Sequence, residues 1–304
     1  MSFRIADLGS LSEAPKTFVD IDGALPAIDP AGFDLLLTNV PEAPAPWVSV
    51  RDLQQAQQRV SRAVSRNPLA ATMVLGLLRQ SGHLPLEAAL AMESLAYSSL
   101  LGGDEFRRWL ALRPPQPIRA TPAEPLEYAR AGDAVILTMV DPVSRNAYSA
   151  VMRDALAEAL DACLDDASLA SVELRGDPRV FCSGGQLSEF GTARDLVQAH
   201  LIRTTQSATA RLLRLGSCSR ATVEGAAVGS GAEISAAVHR LVAGPRAWFQ
   251  LPELAMGLIP GAGGTVSIPR RIGRHRAAWL MLTGARLPAR RALAWGLVDA
   301  MAPE

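Results

Sequence analysis

The spacing of apolar residues divides the chain into two parts with different predicted structures. Between residues 47 and 112, apolar side chains recur every three or four positions, which is the period of helices that bury one face. From residue 126 onwards, short apolar runs alternate with longer helical patterns, repeating roughly every 40 to 50 residues. This alternation predicts an α/β domain of repeated ββα-like units, and it argues against an all-helical or all-β fold.

The second part, residues 126–304, contains most of the predicted strands. Ser149 is placed to cap the helix after the first of them, and another helix is predicted to begin at Ser230. Each strand is a short apolar run of the kind that a sheet buries. The predicted strands are AVILTMV (134–140), SVELRG (171–176), ATVEG (221–225), RLVAG (240–244) and WFQLP (248–252).

The helical part, residues 47–112, ends in a pattern that looks like the end of a domain. A helix is predicted to open at Pro85 and to stop at Gly102-Gly103, and a second short helix runs from Asp104 to Leu112. The residues of the first helix that follow one another at three- and four-residue spacing are Leu86, Leu90, Glu93 or Ser94, and Tyr97.

Two segments flank this helical part. Residues 113–125 contain five prolines. In a polyproline II conformation, at about 3.1 Å per residue, they would bridge roughly 35–40 Å, so they are predicted to be a linker. Residues 1–46 are rich in Pro, Gly and Asp, and apart from one strand-like run (33–38) they are predicted to be irregular.

Composition excludes several classes of protein. The chain has 304 residues, 49% of them hydrophobic, which is enough for one large domain or two ordinary ones. Lys+Arg and Asp+Glu both number 30, so charge gives no reason to expect nucleic acid or an anionic membrane as a partner. The only lysine is Lys16, which leaves no phosphate-binding P-loop and no Schiff-base lysine in the body of the chain.

Cysteine usage points to a reduced setting. Cys163, Cys182 and Cys218 are odd in number and have no C-x-x-C spacing, so we expect structural thiols and no metal site. The chain does not open with a signal-peptide pattern, and no apolar run approaches the ~20 residues of a membrane-spanning helix. We therefore expect a soluble, cytoplasmic protein.

Three glycine-rich turns each follow a predicted strand: FCSGGQL (181–187), VEGAAVGSGAE (223–233) and LIPGAGGT (258–265). Any one of them alone is most simply a tight turn, and none has the G-x-G-x-x-G spacing of a dinucleotide site. Glycine turns at helix starts nevertheless expose backbone N–H groups that suit an anion or a developing oxyanion. Glu233 and Glu253 adjoin these turns, and either they face solvent or they serve as general acid and base at an activated carbonyl.

The stretches VEGAAVGSGAEISAA and FQLPELAMGLIPGAGGT carry these two glutamates twenty residues apart, and together they closely resemble the enoyl-CoA hydratase (crotonase) family. SRNAYSAVMRDALAEAL, VFCSGGQLSEF and LTGARLPARRALAWGLVD extend the resemblance in order across roughly 126–301. The resemblance implies a crotonase-type spiral of ββα units and an acyl-CoA thioester substrate. It also implies a homotrimer or homohexamer, and no cofactor beyond the coenzyme A of the substrate.

The resemblance also implies roles for individual residues. The two oxyanion-hole N–H donors fall on Gly185 and Ser230. Glu233 and Glu253 match the glutamates that hold and activate water, with Glu253 giving the α-proton and Glu233 assisting the attack of water. The amide of Gly261 matches one that helps to orient that water.

Coenzyme A contacts are implied at Arg145 and Ser183. Four positions depart from the usual family pattern. Ser230 stands where a glycine is common and Gln186 where an aspartate is common. His239 stands where an aspartate often closes the helix, and Glu224 where an asparagine is common. An amide donates whatever its side chain, so the oxyanion hole survives if the Cβ of Ser230 fits. These departures bear on substrate preference more than on reaction class.

The helices between residues 47 and 112 resemble the closing helical segment that family chains carry after the core. The chain therefore resembles a circularly permuted crotonase, with that segment at the front, a linker at 113–125 and the core at 126–304. The alternative is an unrelated helical domain fused upstream.

Reversible hydration of a 2-enoyl-CoA is the leading hypothesis for function. A double-bond isomerase is the nearest alternative, although isomerases typically keep a carboxylate at the position of Glu253 and lose the one at Glu233. A non-catalytic protein that binds CoA thioesters or serves as a scaffold is the alternative from a different class.

Overall fold

A computed structural model of the chain describes residues 14–80, 82–114 and 122–303. The first part of the chain begins with three short strands and continues with four helices. The strands are β1 (Thr17–Asp20), β2 (Leu35–Thr38) and β3 (Val48–Ser49). The helices are α1 (Leu53–Arg66), α2 (Pro68–Gln80), α3 (Leu86–Leu101) and α4 (Asp104–Ala111).

The second part alternates strands with helices, as the apolar pattern predicts. Its strands are β4 (Leu126–Ala131), β5 (Ala134–Met139), β6 (Ser171–Arg175), β7 (Val180–Cys182), β8 (Ser219–Val223), β9 (Ala226–Val228), β10 (Arg240–Ala243), β11 (Trp248–Gln250), β12 (Leu287–Pro288) and β13 (Ala300–Met301). Its helices are α5 (Ala150–Asp165), α6 (Leu196–Thr205), α7 (Ala208–Leu215), α8 (Ser230–Ser235), α9 (Gly264–Ile272), α10 (Arg274–Thr283) and α11 (Ala289–Trp295).

These strands form two sheets. The larger has the order β13-β10-β8-β6-β5-β4, parallel except for the β4–β5 hairpin, and the smaller has the order β12-β11-β9-β7 with β7, β9 and β11 parallel. Each of the pairs β6–β7, β8–β9 and β10–β11 sends its first strand to the larger sheet and its second to the smaller. The repeat of strand, strand and helix is the predicted ββα unit, so the α/β fold class is confirmed.

Residues 1–46 contain the expected strand within 33–38, which is β2, and one strand that was not expected, β1. Among their described residues, β1 and β2 pair in parallel, and β2 pairs in turn with β3. Leu35, Leu36 and Leu37 are fully buried, because Leu36 packs beside Trp47 while its two neighbours face the main core. A strand buried on both faces is a continuous apolar run without alternation, which makes its extent hard to read from sequence.

The helices of the first part pack onto the second part. Helices α1 and α2 contact α10, and α3 contacts α6 and α9. Six buried side chains of α2 belong to the same apolar cluster as the strands of the larger sheet. The predicted linker lies mostly outside the described residues. Within the described ranges, no helix combines the length and apolar character that a membrane span requires.

Candidate active site

The three parallel strands of the smaller sheet bring the predicted site residues to one edge. Strand β9 pairs in parallel with both β7 and β11, so the carboxyl ends of all three strands point the same way. The turn at 183–186 follows β7, the turn at 229–230 follows β9, and Glu253 follows β11. Segments that are far apart in sequence therefore meet at the edge where ligands bind in parallel α/β sheets.

The first two turns pack backbone against backbone. Gly184 and Gly229 both have positive φ angles, 99° and 50°. A methyl group on Gly229 would come within 3.6 Å of Gly184 Cα, and hydrogen bonds from Gly229 N to Gln250 O (2.8 Å) and from Tyr148 N to Gly184 O (2.8 Å) hold the turns in place. Glycine is favoured at both positions because side chains disfavour these angles and the backbones approach closely.

The amides of Gly185 and Ser230 follow these two glycines. Among the residues that the structure describes, neither nitrogen donates a hydrogen bond to another backbone group. Ser230 opens α8, so its N–H is one of the donors that a helix start leaves unsatisfied, and its side chain is buried. Both predicted oxyanion donors are therefore available to a ligand, on adjoining turns.

Glu233 lies in the first turn of α8 and is buried. Its Oε2 accepts hydrogen bonds from Ala262 N (2.6 Å) and Gly264 N (2.9 Å), two amides of the third glycine-rich turn. Its backbone oxygen accepts a further bond from Ser267 Oγ (2.8 Å) on α9. The carboxylate of Glu233 is thus held by backbone donors at the start of α9, which favour its ionised form.

Glu253 has a different environment. It begins a short 3₁₀ turn (Glu253–Met256) directly after β11, and it is also buried. Its Oε1 lies so close to Gly229 that a methyl group there would approach to 2.6 Å. Its Oε2 is buried and has no hydrogen-bond partner among the described residues. A buried carboxyl oxygen without a donor favours the protonated acid.

Burial raises the pKa of both glutamates, so the division between them rests on their different hydrogen bonds. Burial raises the pKa of Glu253 to about 8, and the charge of Glu93 contributes in the same direction. Burial also raises the pKa of Glu233 well above its ordinary value, assisted by the charges of Glu253 and Glu93 and opposed by the amides of Ala262 and Gly264. Two buried carboxyls at one site retain a proton near neutral pH, and the amide donors place that proton on Glu253.

A third buried glutamate, Glu93, reaches the site from the first part of the chain. The sequence analysis did not predict it as a site residue. Glu93 of α3 accepts hydrogen bonds from Gly263 N (2.7 Å) and from both Thr265 N and Thr265 Oγ1 (2.7 Å each). Burial raises its pKa to about 7. The sequence did contain an indication of its role, because Glu93 lies on the apolar face of α3 with Leu90 and Tyr97, where a charged residue is unusual.

Tyr97, one turn further along α3, covers Gly261. A methyl group on Gly261 would come within 2.5 Å of the Tyr97 ring, so only glycine fits beneath it. Burial raises the pKa of the Tyr97 phenol above its ordinary value, and the guanidinium of Arg203 lies 4.6 Å from the ring centroid. The amides that reach Glu233 belong to Ala262 and Gly264, one and three residues after Gly261.

The predicted coenzyme A contacts are neighbours beside the oxyanion turn. Ser183 N donates to Arg145 O (3.1 Å) and Ser183 Oγ donates to Ser144 O (3.0 Å). The side chain of Arg145 is exposed, and its backbone has a positive φ of 60°. Over the described ranges, no group of three or more His, Cys, Asp or Glu side chains could hold a metal ion.

Comparison with known proteins shows which family the chain belongs to. The sequence model of the enoyl-CoA hydratase/isomerase family matches residues 130–304, which is more than half of the chain. The chain belongs to this family. Its helical first part lies outside the matched region.

Curated members of the family resemble this chain over its second half. A 2,3-dehydroadipyl-CoA hydratase of Escherichia coli (strain K12) is 34% identical over 169 residues, covering 56% of this chain and 66% of the relative. A probable enoyl-CoA hydratase of Bacillus subtilis (strain 168) is 33% identical over 165 residues, covering 54% and 64%. The chain thus spans slightly less than two thirds of these relatives.

Solved structures of the family share the fold. An enoyl-CoA hydratase from Bacillus anthracis superposes with a TM-score of 0.54 at 30% identity, covering 59% of this chain and 70% of the other. Pseudomonas aeruginosa AtuE superposes with a TM-score of 0.55 at 31% identity, covering 60% and 71%. The predicted crotonase-type fold is therefore confirmed for the α/β part.

Proposed function

We propose that this protein catalyses the reversible addition of water to a 2-enoyl-CoA thioester. The observation that carries the proposal is the pairing of two buried glutamates with opposite hydrogen-bond environments beside two available amides. Glu233 is held by backbone N–H donors, whereas Glu253 Oε2 has no partner among the described residues. One site thereby offers a base and an acid at the same pH.

In the proposed reaction, the thioester oxygen accepts hydrogen bonds from the amides of Gly185 and Ser230. Ionised Glu233 takes a proton from water as the water oxygen bonds to the β-carbon. The electrons of the C=C bond move towards the thioester, and the two amides stabilise the resulting enolate oxygen. Protonated Glu253 then delivers its proton to the α-carbon, and a proton returned from Glu233 restores the starting state.

The presence of both carboxyls at the site favours hydration over double-bond isomerisation, which needs only one of them. Hydratase is also the activity named for the curated relatives from E. coli and B. subtilis. We further propose that Arg145 and Ser183 contact the coenzyme A moiety, and that Gly261 helps to orient the water. No cofactor other than that coenzyme A is proposed.

The loss of the enone absorbance of crotonyl-CoA, and of a panel of longer, branched and ring-bearing enoyl-CoA esters, tests this function. We expect Glu233→Gln and Glu253→Gln each to lower turnover by at least ~10²-fold, the usual contribution of a positioned acid or base. Glu105→Gln is the matched control, because Glu105 is a buried glutamate that accepts amide hydrogen bonds from Leu69 and Ala70 instead. A parent protein that hydrates no ester of the panel would refute the proposal.

We also propose that residues 47–112 supply, from the front of the chain, the closing helices of the family, as a circular permutation would. The packing of α1 and α2 on α10, and of α3 on α9, supports this proposal. Residues 126–304 alone are expected to be insoluble or inactive because α9 and α10 would lose their apolar cover. Attaching residues 47–118 after Glu304 through a flexible linker is expected to restore an active homotrimer or homohexamer, measured by light scattering. A stable, active oligomer of 126–304 alone would contradict the permutation.

A further inference from the structure

The third glycine-rich turn divides its backbone donors between two carboxylates. Residues 262–265 offer four consecutive N–H groups, and all four donate to buried glutamates. The first and third amides donate to Glu233, at 2.6 and 2.9 Å. The second and fourth donate to Glu93, both at 2.7 Å. The two glutamates therefore hold alternate amides of one turn, and a shift of the turn relative to either one affects the other.

The shape of this turn depends on contacts with several elements. Gly263 has a φ of 102°, and a methyl group there would come within 2.4 Å of Thr209 on α7. The Thr209 hydroxyl donates to the carbonyl of Ala262. Besides its two amide hydrogen bonds, Glu93 accepts one from the Thr265 hydroxyl (2.7 Å). Helix α3 therefore contacts the turn through this carboxylate. Glycine adopts a positive φ without strain, and the contacts with α3, α7 and α8 hold the turn in one position.

We propose that Glu93 is a positioning residue for the reaction, because it holds the 262–265 turn so that the remaining two amides bind Glu233. Above its own pKa of about 7, the negative charge of Glu93 also raises the pKa of Glu253. This inference rests on the proposed hydration. It gives the helical first part of the chain a chemical role, because Glu93 lies 170 residues before the Gly263 amide that it accepts from.

The charged groups around Glu93 come from several elements. Glu233 on α8 and Glu253 after β11 are the nearby acids, and burial together with the charge of Glu93 raises the pKa of each. Tyr97 lies on the same helix. Arg203 of α6 lowers the pKa of Glu93, but its hydrogen bonds go to Ser94 and Ser98, and no ion pair joins it to Glu93 among the described residues. His200 on α6 bonds to Ser94 Oγ (2.9 Å). Burial of Glu93 is therefore offset by hydrogen bonds from the Thr265 hydroxyl and from the amides of Thr265 and Gly263, with a smaller contribution from Arg203.

Two substitutions separate the position of Glu93 from its charge. Glu93→Gln keeps the shape but removes the charge, and its amide nitrogen must face either the Gly263 or the Thr265 N–H. Glu93→Asp keeps the charge but is one methylene shorter, so it loosens the turn. Glu105→Gln is the control, because it breaks a comparable buried carboxylate–amide contact, at the start of α2.

The variants are compared in full-length protein by two measurements. The first is an NMR titration of ¹³C-labelled glutamate carboxyls without substrate, and the second is the pH profile of turnover. In Glu93→Gln, loss of the like charge lowers the pKa of Glu253, so its carbon titrates at lower pH. Because Glu253 works as an acid, the basic limb of kcat also moves to lower pH, and kcat falls about tenfold or more with a smaller change in KM. Glu93→Asp loses kcat but keeps the position of the limb, and Glu105→Gln keeps both.

A Glu93→Gln variant whose carboxyl titration and basic limb coincide with those of the parent would overturn the inference, whatever its loss of stability. An equal shift of the basic limb in Glu105→Gln would also overturn the inference, because the shift would then result from weakened packing in general and not from the loss of Glu93. If the parent hydrates none of the esters, the proposed function fails, but the NMR titration still decides whether Glu93 controls the other two glutamates.

Discussion

Replacing Gly229 by alanine tests whether the contact between the oxyanion turn and Glu253 sets the activity. The added methyl group would lie 2.6 Å from Glu253 Oε1, well inside van der Waals contact, and 3.6 Å from Gly184 Cα. Because Glu253 is buried, either its carboxyl moves away or the turn opens. Either change displaces the acid from the α-carbon or the Ser230 amide from the thioester oxygen.

The backbone of Gly229 adds a cost of its own. Its angles, φ 50° and ψ −122°, lie in a region that side chains rarely adopt, and an alanine there costs about 1–3 kcal/mol of stability. Gly216 provides a closely matched control, because its φ of 54° and ψ of −130° are nearly the same. Apart from its chain neighbours, no atom of the described residues lies within 4 Å of a methyl group placed on Gly216. Gly216→Ala therefore carries the strain without the contact.

We expect Gly229→Ala to lose more free energy of unfolding in urea than Gly216→Ala, by about the 1–3 kcal/mol of an overpacked position, because it adds the contact to the backbone strain. Only Gly229→Ala is expected to lose activity, by ~10²-fold or more in kcat/KM, which is the scale for a lost oxyanion donor or a misplaced acid. The assay is the loss of enone absorbance with the best enoyl-CoA ester. Equal activity in Gly229→Ala and Gly216→Ala would show that the contact with Glu253 does not control the reaction.

Two further predictions concern the amide and the acid. Ser230→Gly keeps the N–H group and most of the activity. Ser230→Pro deletes the N–H, which raises the barrier by ~3–4 kcal/mol and lowers turnover by about 10²–10³-fold. Equal rates in the two variants would show that the Ser230 amide is not an oxyanion donor. Glu253 has a folded pKa raised from 4.5 to about 8 by burial, so between these values the folded state holds a proton that the unfolded state has lost. The free energy of unfolding therefore falls as pH rises through this window, by up to about 1.4 kcal/mol per pH unit for one proton, and Glu253→Gln reduces that slope in urea unfolding across the pH range. An unchanged slope would mean that the carboxyl is not held protonated.

Much of the fold follows from local signals. Short apolar runs bounded by glycine turns predict β5, β6, β8, β10 and β11 within a few residues, because the strands and turns depend on residues close together in sequence. Ser149 caps α5 through its hydroxyl, as its position before the helix suggests. The glutamate pair can also be identified from the sequence, since Glu233 and Glu253 lie in recognisable motifs that follow adjacent strands. The two-sided burial of β2, by contrast, depends on what packs against each face.

Only the folded chain distinguishes the two glutamates chemically. Both follow a glycine turn or strand in an apolar context, and the sequence alone does not tell which one receives backbone donors. That assignment depends on where the 262–265 turn lies relative to α8, and the turn is held in part by Glu93 from α3. Contacts across 170 residues arise from packing and not from local preference, because their free energy appears only when α3, α8 and α9 are brought together. The reacting groups can thus be named from the sequence, whereas their protonation states follow from the tertiary structure.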